Sequence, residues 1–338
     1  MRMRGPGDVF LLTLFFPRSR WIPIKSIFRR LNPTFHVDYC GEEKEATLFM
    51  KVQPMVQVPM LRWNFRTKEY FLKKWKINGK IFRCCFDFNS KLTTPLIIFS
   101  TRDNNRWWEI ISNHFFQMFP NNYGSQVAVT ADTMSKVPKN QKVDIVEVRP
   151  GRYRELNAIE VERFLEAHPV IMAFIHPGIQ GEFSENSILL TMENVILYNA
   201  HMFTPRHFYN FSGNNLLLRN SPITSIHINR FIVKWYLCNN TKLDSVWILG
   251  RDFDRETILA GLDVKPWNRT KRPAYYTPKS RLVRKSKTKF RNSQFRYVCP
   301  VDEYYDCTHA MDLERQSDNL VASIRVNPRR VIFYVWKP

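Results

Sequence analysis

Hydrophobic positions in the second half of the chain alternate between the spacing of strands and the spacing of helices. The apolar runs in ENVILYNA, NLLLRN and DSVWILG, centred on Ile196, Leu217 and Ile248, predict three strands. A short helix is predicted in TPRHFYNF, with Thr204 as its N-cap and Pro205 at its first position. Because strand–helix–strand units cross over right-handed, we expect parallel strands with their helices on one side.

The helix predicted in SIHINRFIVKW has one apolar stripe and one polar side. The stripe consists of Ile228, Phe231, Ile232 and Trp235, and the residues off it are His227, Arg230 and Lys234. Apolar residues at helical spacing nearly always belong to the core, so partner contacts are expected on the polar side or in loops. The strands lie 21 and 31 residues apart, which indicates leucine-rich-repeat-like strand–helix modules.

Elsewhere the chain mixes strand and helix patterns. Between residues 46 and 100, ATLFMKV, KIFRCCFDF and TTPLIIFS predict strands, while residues 105–119 and 156–169 predict helices. The C-terminal stretch YYDCTHAMDLERQSDNLVASIRVNPRRVIFYVWKP predicts three short strands joined by tight turns, which form an antiparallel meander. The predicted fold class is therefore α/β with mixed α+β character.

Charge is concentrated in one segment of this strongly basic chain. The formal net charge is +21, and twelve Lys or Arg but no Asp or Glu lie between Lys265 and Arg296. Aromatic residues are interleaved with them, namely Trp267, Tyr275, Tyr276, Phe290 and Phe295. Such a window is more often a solvated basic linker, here with VRKSKTKFR as an import patch, than a binding site. The alternative is a nucleic-acid-binding segment in which cations neutralise phosphates and rings stack on bases.

The cysteines and the N-terminus indicate a compartment. Six cysteines without a repeated spacing indicate reduced thiols in the cytoplasm or nucleus. The basic, apolar start loosely resembles a secretory signal but has no small-x-small cleavage site. No apolar segment reaches the length that crosses a bilayer, so no membrane contact is expected.

Motifs that carry catalytic chemistry are missing from the sequence. It contains no G-x-G-x-x-G, Walker, H-E-x-x-H or G-x-S-x-G pattern. The acidic residues of RDFDRE fit the start of a helix, and Cys299, Cys307 and His309 match no zinc-ligand spacing. We therefore expect no enzyme activity, no catalytic residues, no metal and no cofactor.

Three ordered segments resemble the F-box-associated domain of a protein family that is expanded in nematodes. The first has a strand, an N-S-x-[IL]-T turn and a helix with F-[IL]-x-x-W, the second resembles V-K-P-W-D-x-x-x-R-P, and the third resembles D-I-x-R-x-D-G-x-x-A-T-V…F-x-V-W. The matching signature residues include Asn220, Ser221, Thr224, Phe231, Trp235, Val264, Lys265, Pro266, Trp267 and Trp336, with Asn268 where the family has Asp.

An N-terminal segment resembles the start of that family's F-box. The sequence FPRSRWIPIKSIFRRLNP contains a short helical pattern that ends at Asn32-Pro33, and the rest of an F-box does not follow it. The F-box is therefore degenerate or truncated. Residues that would contact a Skp-type adaptor are Ile22, Pro23, Ile24, Ile27, Phe28, Leu31 and Pro33. The alternative is an ordinary helix that packs on its own domain.

The resemblance implies five parts and a function. These are a degenerate F-box-like segment (15–40), an α/β intermediate region (41–187), a repeat-like F-box-associated domain (188–264), a basic linker (265–298) and a C-terminal β-meander of the same domain (299–338). The implied function is that of a non-catalytic substrate adaptor in an SCF-type (Skp–cullin–F-box) ubiquitin ligase complex, with an unknown protein target. The alternative function is nucleic-acid binding, or free-standing protein binding with a vestigial F-box.

Overall fold

The computed structural model describes two separate units of the chain. One comprises Met1–Leu156 with Ala167–Pro169, and the other comprises Asn157–Glu166 with Val170–Pro338. Within them, the described residues are 34–40, 45–53, 56–66, 73–77, 80–87, 96–100, 114, 126–137, 143–151, 155–168, 170–175, 179–277 and 305–337. The F-box-like positions 22–33 lie outside the described residues.

The first unit contains a mixed β-sheet. Its strands are β1 (Thr34–Cys40), β2 (Glu45–Gln53), β3 (Val56–Arg66), β4 (Lys73–Ile77), β5 (Lys80–Asp87), β6 (Leu96–Ser100), β7 (Gln126–Thr130) and β8 (Ile145–Arg149), and a 3-10 turn spans Met134–Lys136. They lie in the order β8-β7-β1-β2-β3-β6-β5-β4, with β8–β7, β7–β1 and β3–β6 parallel. The strands predicted from ATLFMKV, KIFRCCFDF and TTPLIIFS are confirmed as β2, β5 and β6.

The second unit alternates strands and helices before it ends in a meander. Its strands are β9 (Leu156–Asn157, at the boundary between the units), β10 (Met172–Ile175), β11 (Ile179–Gln180), β12 (Asn194–Leu197), β13 (Asn215–Arg219), β14 (Ser245–Leu249), β15 (Val264–Pro266), β16 (Tyr275–Tyr276), β17 (Tyr305–Asp306), β18 (Met311–Glu314), β19 (Val321–Asn327) and β20 (Arg330–Trp336). Its helices are α1 (Ala158–Glu166), α2 (Pro205–Asn210), α3 (Ser225–Leu237) and α4 (Arg255–Leu259), with a 3-10 turn at Ile188–Leu190.

The sheet of the second unit is parallel on one side and antiparallel on the other. Its order is β10-β12-β13-β14-β20-β19-β18-β15. β10, β12, β13 and β14 run parallel, as the strand–helix–strand pattern predicts. From β14 onward every pair is antiparallel, which confirms the predicted C-terminal meander.

The two faces of this sheet are covered by different elements. Phe333 and Tyr334 are neighbours in β20, so their side chains point to opposite faces. Phe333 packs edge-on against Phe231 and Trp235 of α3, with ring centroids 6.3 and 5.1 Å away. Tyr334 stacks on Tyr276 of β16 at 4.7 Å and on Tyr305 of β17 at 5.3 Å. The core therefore lies on both sides of β20.

Three of the four parallel strands, β12, β13 and β14, are each followed by a residue in the left-handed region of φ. After β12, β13 and β14 these are Asn199, Asn220 and Asp252, with φ of 58, 51 and 60°. A capped helix begins soon afterwards in each case, at the N-cap residues Thr204, Thr224 and Asp254. Asn and Asp tolerate the left-handed region better than other residues with a Cβ. β12, β13 and β14 thus share one strand–turn–helix order, while the leucine-rich-repeat-like modules stay a prediction.

We expect Asn220→Ala to lower the free energy of unfolding by about 1 kcal/mol and Asn220→Gly to leave it within about 0.5 kcal/mol. Alanine keeps the Cβ but loses the polar group that tolerates a φ of 51°, whereas glycine has no Cβ to strain. Both variants keep the backbone N–H that donates to the Leu249 carbonyl at 2.9 Å. Urea unfolding measures the difference, with the exposed helix position Asn210→Ala as control. Equal losses for alanine and glycine would contradict this account of the turn.

Candidate interaction site

The first signature segment builds the turn and the helix that follows β13. Asn220 occupies the left-handed turn, and Thr224 is the N-cap of α3. The backbone N–H of Thr224 donates to Nδ1 of His227 at 3.1 Å, so an imidazole takes the place of the usual Glu or Gln in this cap. Phe231 and Trp235 are buried in the core, as the periodicity predicts. Ser221 is half-buried beside the turn.

The second and third signature segments interlock through a buried ion pair. Arg272 is buried, and its guanidinium binds both carboxylate oxygens of Asp312 in β18. It also lies over the ring of Trp336, 5.0 Å from the centroid. The indole N–H of Trp336 donates to Oγ of Ser323 at 2.6 Å, and Ser323 donates to Asp312 at 2.9 Å. These contacts fix the position of the segment after β15 against the end of β20.

Val264, Lys265 and Pro266 form the short outermost strand of the same sheet. This strand, β15, pairs antiparallel with β18. Lys265 and Pro266 are exposed, whereas Val264 and Trp267 are half-buried. A charged residue and a proline on an outer strand discourage pairing with another chain. We therefore assign the second signature segment a structural role.

The third signature segment interlocks with the first through Arg315, whose side chain is fully buried. Its Nη1 donates to the carbonyls of Trp235, Cys238 and Asn240 at 3.2, 2.8 and 3.1 Å. Its guanidinium also lies 4.6 Å from the ring centroid of Trp235. The carbonyls at the C-terminal end of α3 thus receive the donors that a helix end lacks.

Asp318 completes the Arg315 cluster on the tight turn between β18 and β19. It accepts from Nε of Arg315 at 2.9 Å and from Nη2 at 2.5 Å. These hydrogen bonds hold the pKa of Asp318 below its usual range. Asn319 follows in the left-handed region, with a φ of 59°. The sequence did not predict this cluster, because arginine is rarely buried.

A polar ladder crosses the parallel strands on the face away from α3. Asn194, Asn215 and Ser245 occupy equivalent positions in β12, β13 and β14, and all are buried. Nδ2 of Asn215 donates to Oδ1 of Asn194 at 2.8 Å, and the Ser245 hydroxyl donates to Oδ1 of Asn215 at 2.6 Å. Their shared register is a second feature that sequence reasoning missed.

The outer side of α3 is the surface on which partner contacts were predicted. Arg230 and Lys234 are exposed there, and His227 is half-buried. A groove of about 510 Å³ follows the C-terminal half of the helix and is lined by Asn229, Arg230, Val233, Lys234, Leu237 and Cys238. Two apolar side chains on this side are unusually open, since Ile226 is 54% and Leu237 76% exposed. The periodicity did not single them out.

A second cleft, of about 780 Å³, lies beside β15 and β18. Several charged residues that line it are already paired. Lys271 contacts Glu314 at 3.4 Å, and Lys265 contacts Asp263 at 3.9 Å. The buried Arg272–Asp312 pair belongs to the same lining. This cleft therefore presents carboxylates beside its cations, unlike the groove on α3.

The basic window is described only over residues 265–277. That part contains the end of β15 and all of β16, and Lys265, Lys271 and Arg272 form the ion pairs given above. Tyr276 is buried, and burial raises the pKa of its hydroxyl, whereas Tyr275 is 59% exposed. The remainder of the window up to residue 296 lies outside the described residues.

Within the described ranges, no group of three or more His, Cys, Asp or Glu stands close enough together to hold a metal ion. Cys307 is buried, and burial raises the pKa of its thiol to about 11. Cys299 is not among the described residues. In the part of the chain that the structure describes, no helix has the length and apolar character to cross a membrane.

No family model, curated protein or solved structure matches this chain. The resemblance of the three sequence segments to the F-box-associated domain therefore stays a prediction. In the structure the second segment contacts the third, and the third contacts the C-terminal end of α3.

Proposed function

We propose that this chain is a non-catalytic substrate-recognition subunit of an SCF-type ubiquitin ligase. In this proposal the N-terminal segment binds a Skp-type adaptor and the second unit binds a protein target. The observation that carries the proposal is the interlocking of the three signature segments through Arg315 and Arg272. Arg315 ties the meander to the C-terminal end of α3, and the outer side of that helix is lined by a groove that a partner could enter. Such a complex would work in the cytoplasm or nucleus.

A protein of this kind makes and breaks no covalent bond. Holding the target and the adaptor on one chain makes the encounter with the ubiquitin-charged enzyme effectively intramolecular. The gain is a higher effective concentration of the target near that enzyme. A surface on rigid elements suits this task, because little conformational entropy is lost when the target binds.

We expect the purified chain to retain a Skp-type adaptor in a pull-down and the double variant Ile27→Asp, Leu31→Asp to lose it. A carboxylate at either position would be costly to bury against an adaptor. The matched control is Lys25→Asp, Arg29→Asp, which changes two positions off the apolar stripe of the same segment. Far-UV circular dichroism shows whether each variant is folded. A folded wild-type chain that retains no adaptor would refute the ligase role.

The second candidate function is nucleic-acid binding through residues 265–296. It is favoured by the exposed Tyr275 and Arg269 and by the cations further along the window. The ion pairs of Lys265, Lys271 and Arg272 reduce the number of cations left for phosphates. Binding that falls steeply with salt concentration, measured on single-stranded and duplex oligonucleotides, would favour this candidate.

A further inference from the structure

Helix α3 is apolar on two opposite sides. One side consists of the buried residues Ile228, Phe231, Ile232 and Trp235. Ile226, Arg230, Val233 and Leu237 recur at i, i+4, i+7 and i+11 on the opposite side. A helix that lies on the surface of a domain normally turns charged and polar residues outward. Apolar side chains on both sides of α3 favour an outer side that a binding partner covers when the protein functions.

The groove beside this outer stripe is held open by neighbouring helices. Nδ2 of Asn229 donates to the carbonyls of Ile258 at 3.0 Å and Ala260 at 2.9 Å, which ties one wall to α4. Nζ of Lys234 donates to the carbonyl of Tyr209 at 2.8 Å, which ties the other wall to α2. A groove with walls fixed in this way loses little conformational entropy when a partner enters.

The groove has a positive charge. Arg230 and Lys234 contribute cations, and the described residues that line it include no Asp or Glu. The carbonyls of Trp235, Cys238 and Asn240 would otherwise present a negative helix end, but each accepts from Arg315. The chain as a whole carries a formal charge of +21, which opposes the pairing of two copies through this face.

We propose that the outer groove of α3 is the docking site for a short acidic, amphipathic helical segment of the target protein. Its apolar residues would pack on Val233 and Leu237, and its carboxylates would face Arg230 and Lys234. The inference rests on the proposed function, because it names the chemistry of the target that this unit would recognise. The choice of occupant rests on charge complementarity, since the groove is lined by two cations and apolar side chains and by no described carboxylate.

The test is a selection from a displayed library of random 14-residue peptides on the full-length chain. We expect the selected peptides to carry net negative charge and apolar residues at helical spacing. Fluorescence anisotropy of each peptide then compares the wild type with Leu237→Ser and with the double variant Leu237→Asp, Arg230→Glu. We expect affinity to fall about threefold for the single variant and about tenfold or more for the double variant.

The matched control is Ile159→Asp, which places a carboxylate on the exposed isoleucine of α1, 52% exposed. It should leave the affinity unchanged. Peptides that bind the double variant as tightly as the wild type would overturn the proposal, and so would a selection of basic peptides. Loss of anionic-vesicle binding in the double variant without any effect on peptide binding would identify a lipid surface instead. Concentration-dependent dimerisation that the double variant abolishes would identify a second copy and also overturn it.

The outcome for the groove can be separated from the outcome for the ligase role. Adaptor binding is measured through the N-terminal segment, and peptide binding through α3. Selective peptide binding without adaptor binding would refute the ligase role and support the groove. Adaptor binding with no selective peptide would refute the groove and support the ligase role.

Discussion

Replacing Arg315 with alanine is expected to lower the free energy of unfolding by about 3–5 kcal/mol. The guanidinium is fully buried and is shared by Asp318 and three backbone carbonyls. Alanine removes their donors and leaves a cavity next to Trp235, since the guanidinium lies over that ring. The loss exceeds that of a surface ion pair because the guanidinium is fully buried, whereas water solvates the charges of an exposed pair.

Chemical unfolding in urea measures this loss, with exposed Arg251→Ala as the matched control. The control should change the free energy of unfolding by less than about 0.5 kcal/mol. Arg315→Lys keeps the charge but cannot form the planar fork, so we expect it to remain clearly destabilised. A loss below about 1 kcal/mol for Arg315→Ala would show that this cluster does not hold the meander to α3.

Truncating Phe231 to alanine is expected to lower the free energy of unfolding by about 3–5 kcal/mol. Phe231 stacks on Phe208 of α2 at 4.4 Å and meets Phe333 of β20 edge-on at 6.3 Å. The variant thus removes the ring that joins two helices and the sheet. The cavity is enclosed by regular elements, which limits how far the surroundings can collapse into it.

The matched control for Phe231→Ala lies on the same helix. Ile226→Ala removes an apolar side chain that is 54% exposed and should change the free energy of unfolding by less than about 0.5 kcal/mol. The pair of variants therefore separates the inner side of α3 from its outer side. Similar losses at Phe231 and Ile226 would mean that the outer side is also part of the core, which would leave no surface for a target.

Local patterns predicted much of the second unit, because each depends on nearby residues. The strands centred on Ile196, Leu217 and Ile248 are present and parallel, since short apolar runs separated by capped helices allow few other arrangements. Thr204 and Asp254 cap their helices as their positions indicate. The turns of the meander follow from Asn and Pro in the sequence.

Contacts between distant residues could not be predicted in the same way. Arg315 meets Trp235 across 80 positions of the chain, and Arg272 meets Asp312 across 40. The periodicity of a single segment carries no information about which buried carboxylate or carbonyl faces which arginine. His207 and His227, which accept from the backbone N–H of the N-cap residues Thr204 and Thr224, were not predicted for a different reason, since histidine is not the usual residue at that position.

The outer side of α3 shows where a rule about periodicity can mislead. The sequence identified Arg230 and Lys234 as surface residues, and the structure confirms this. Apolar residues are expected in the core, so the sequence did not predict that Ile226 and Leu237 are exposed. The buried stripe of α3 is complete without these two residues, so they mark the outer side of the helix as partly apolar.

The most direct test of the central claim is the composition of the complex that the full-length chain forms with a Skp-type adaptor. Mass photometry of the mixture should give one adaptor per chain, and this complex should also bind a selected acidic peptide. Ile27→Asp, Leu31→Asp should abolish the complex, whereas Leu237→Asp, Arg230→Glu should keep the adaptor and lose the peptide. A folded chain that forms no complex, or a complex that survives the Ile27 and Leu31 changes, would contradict the account.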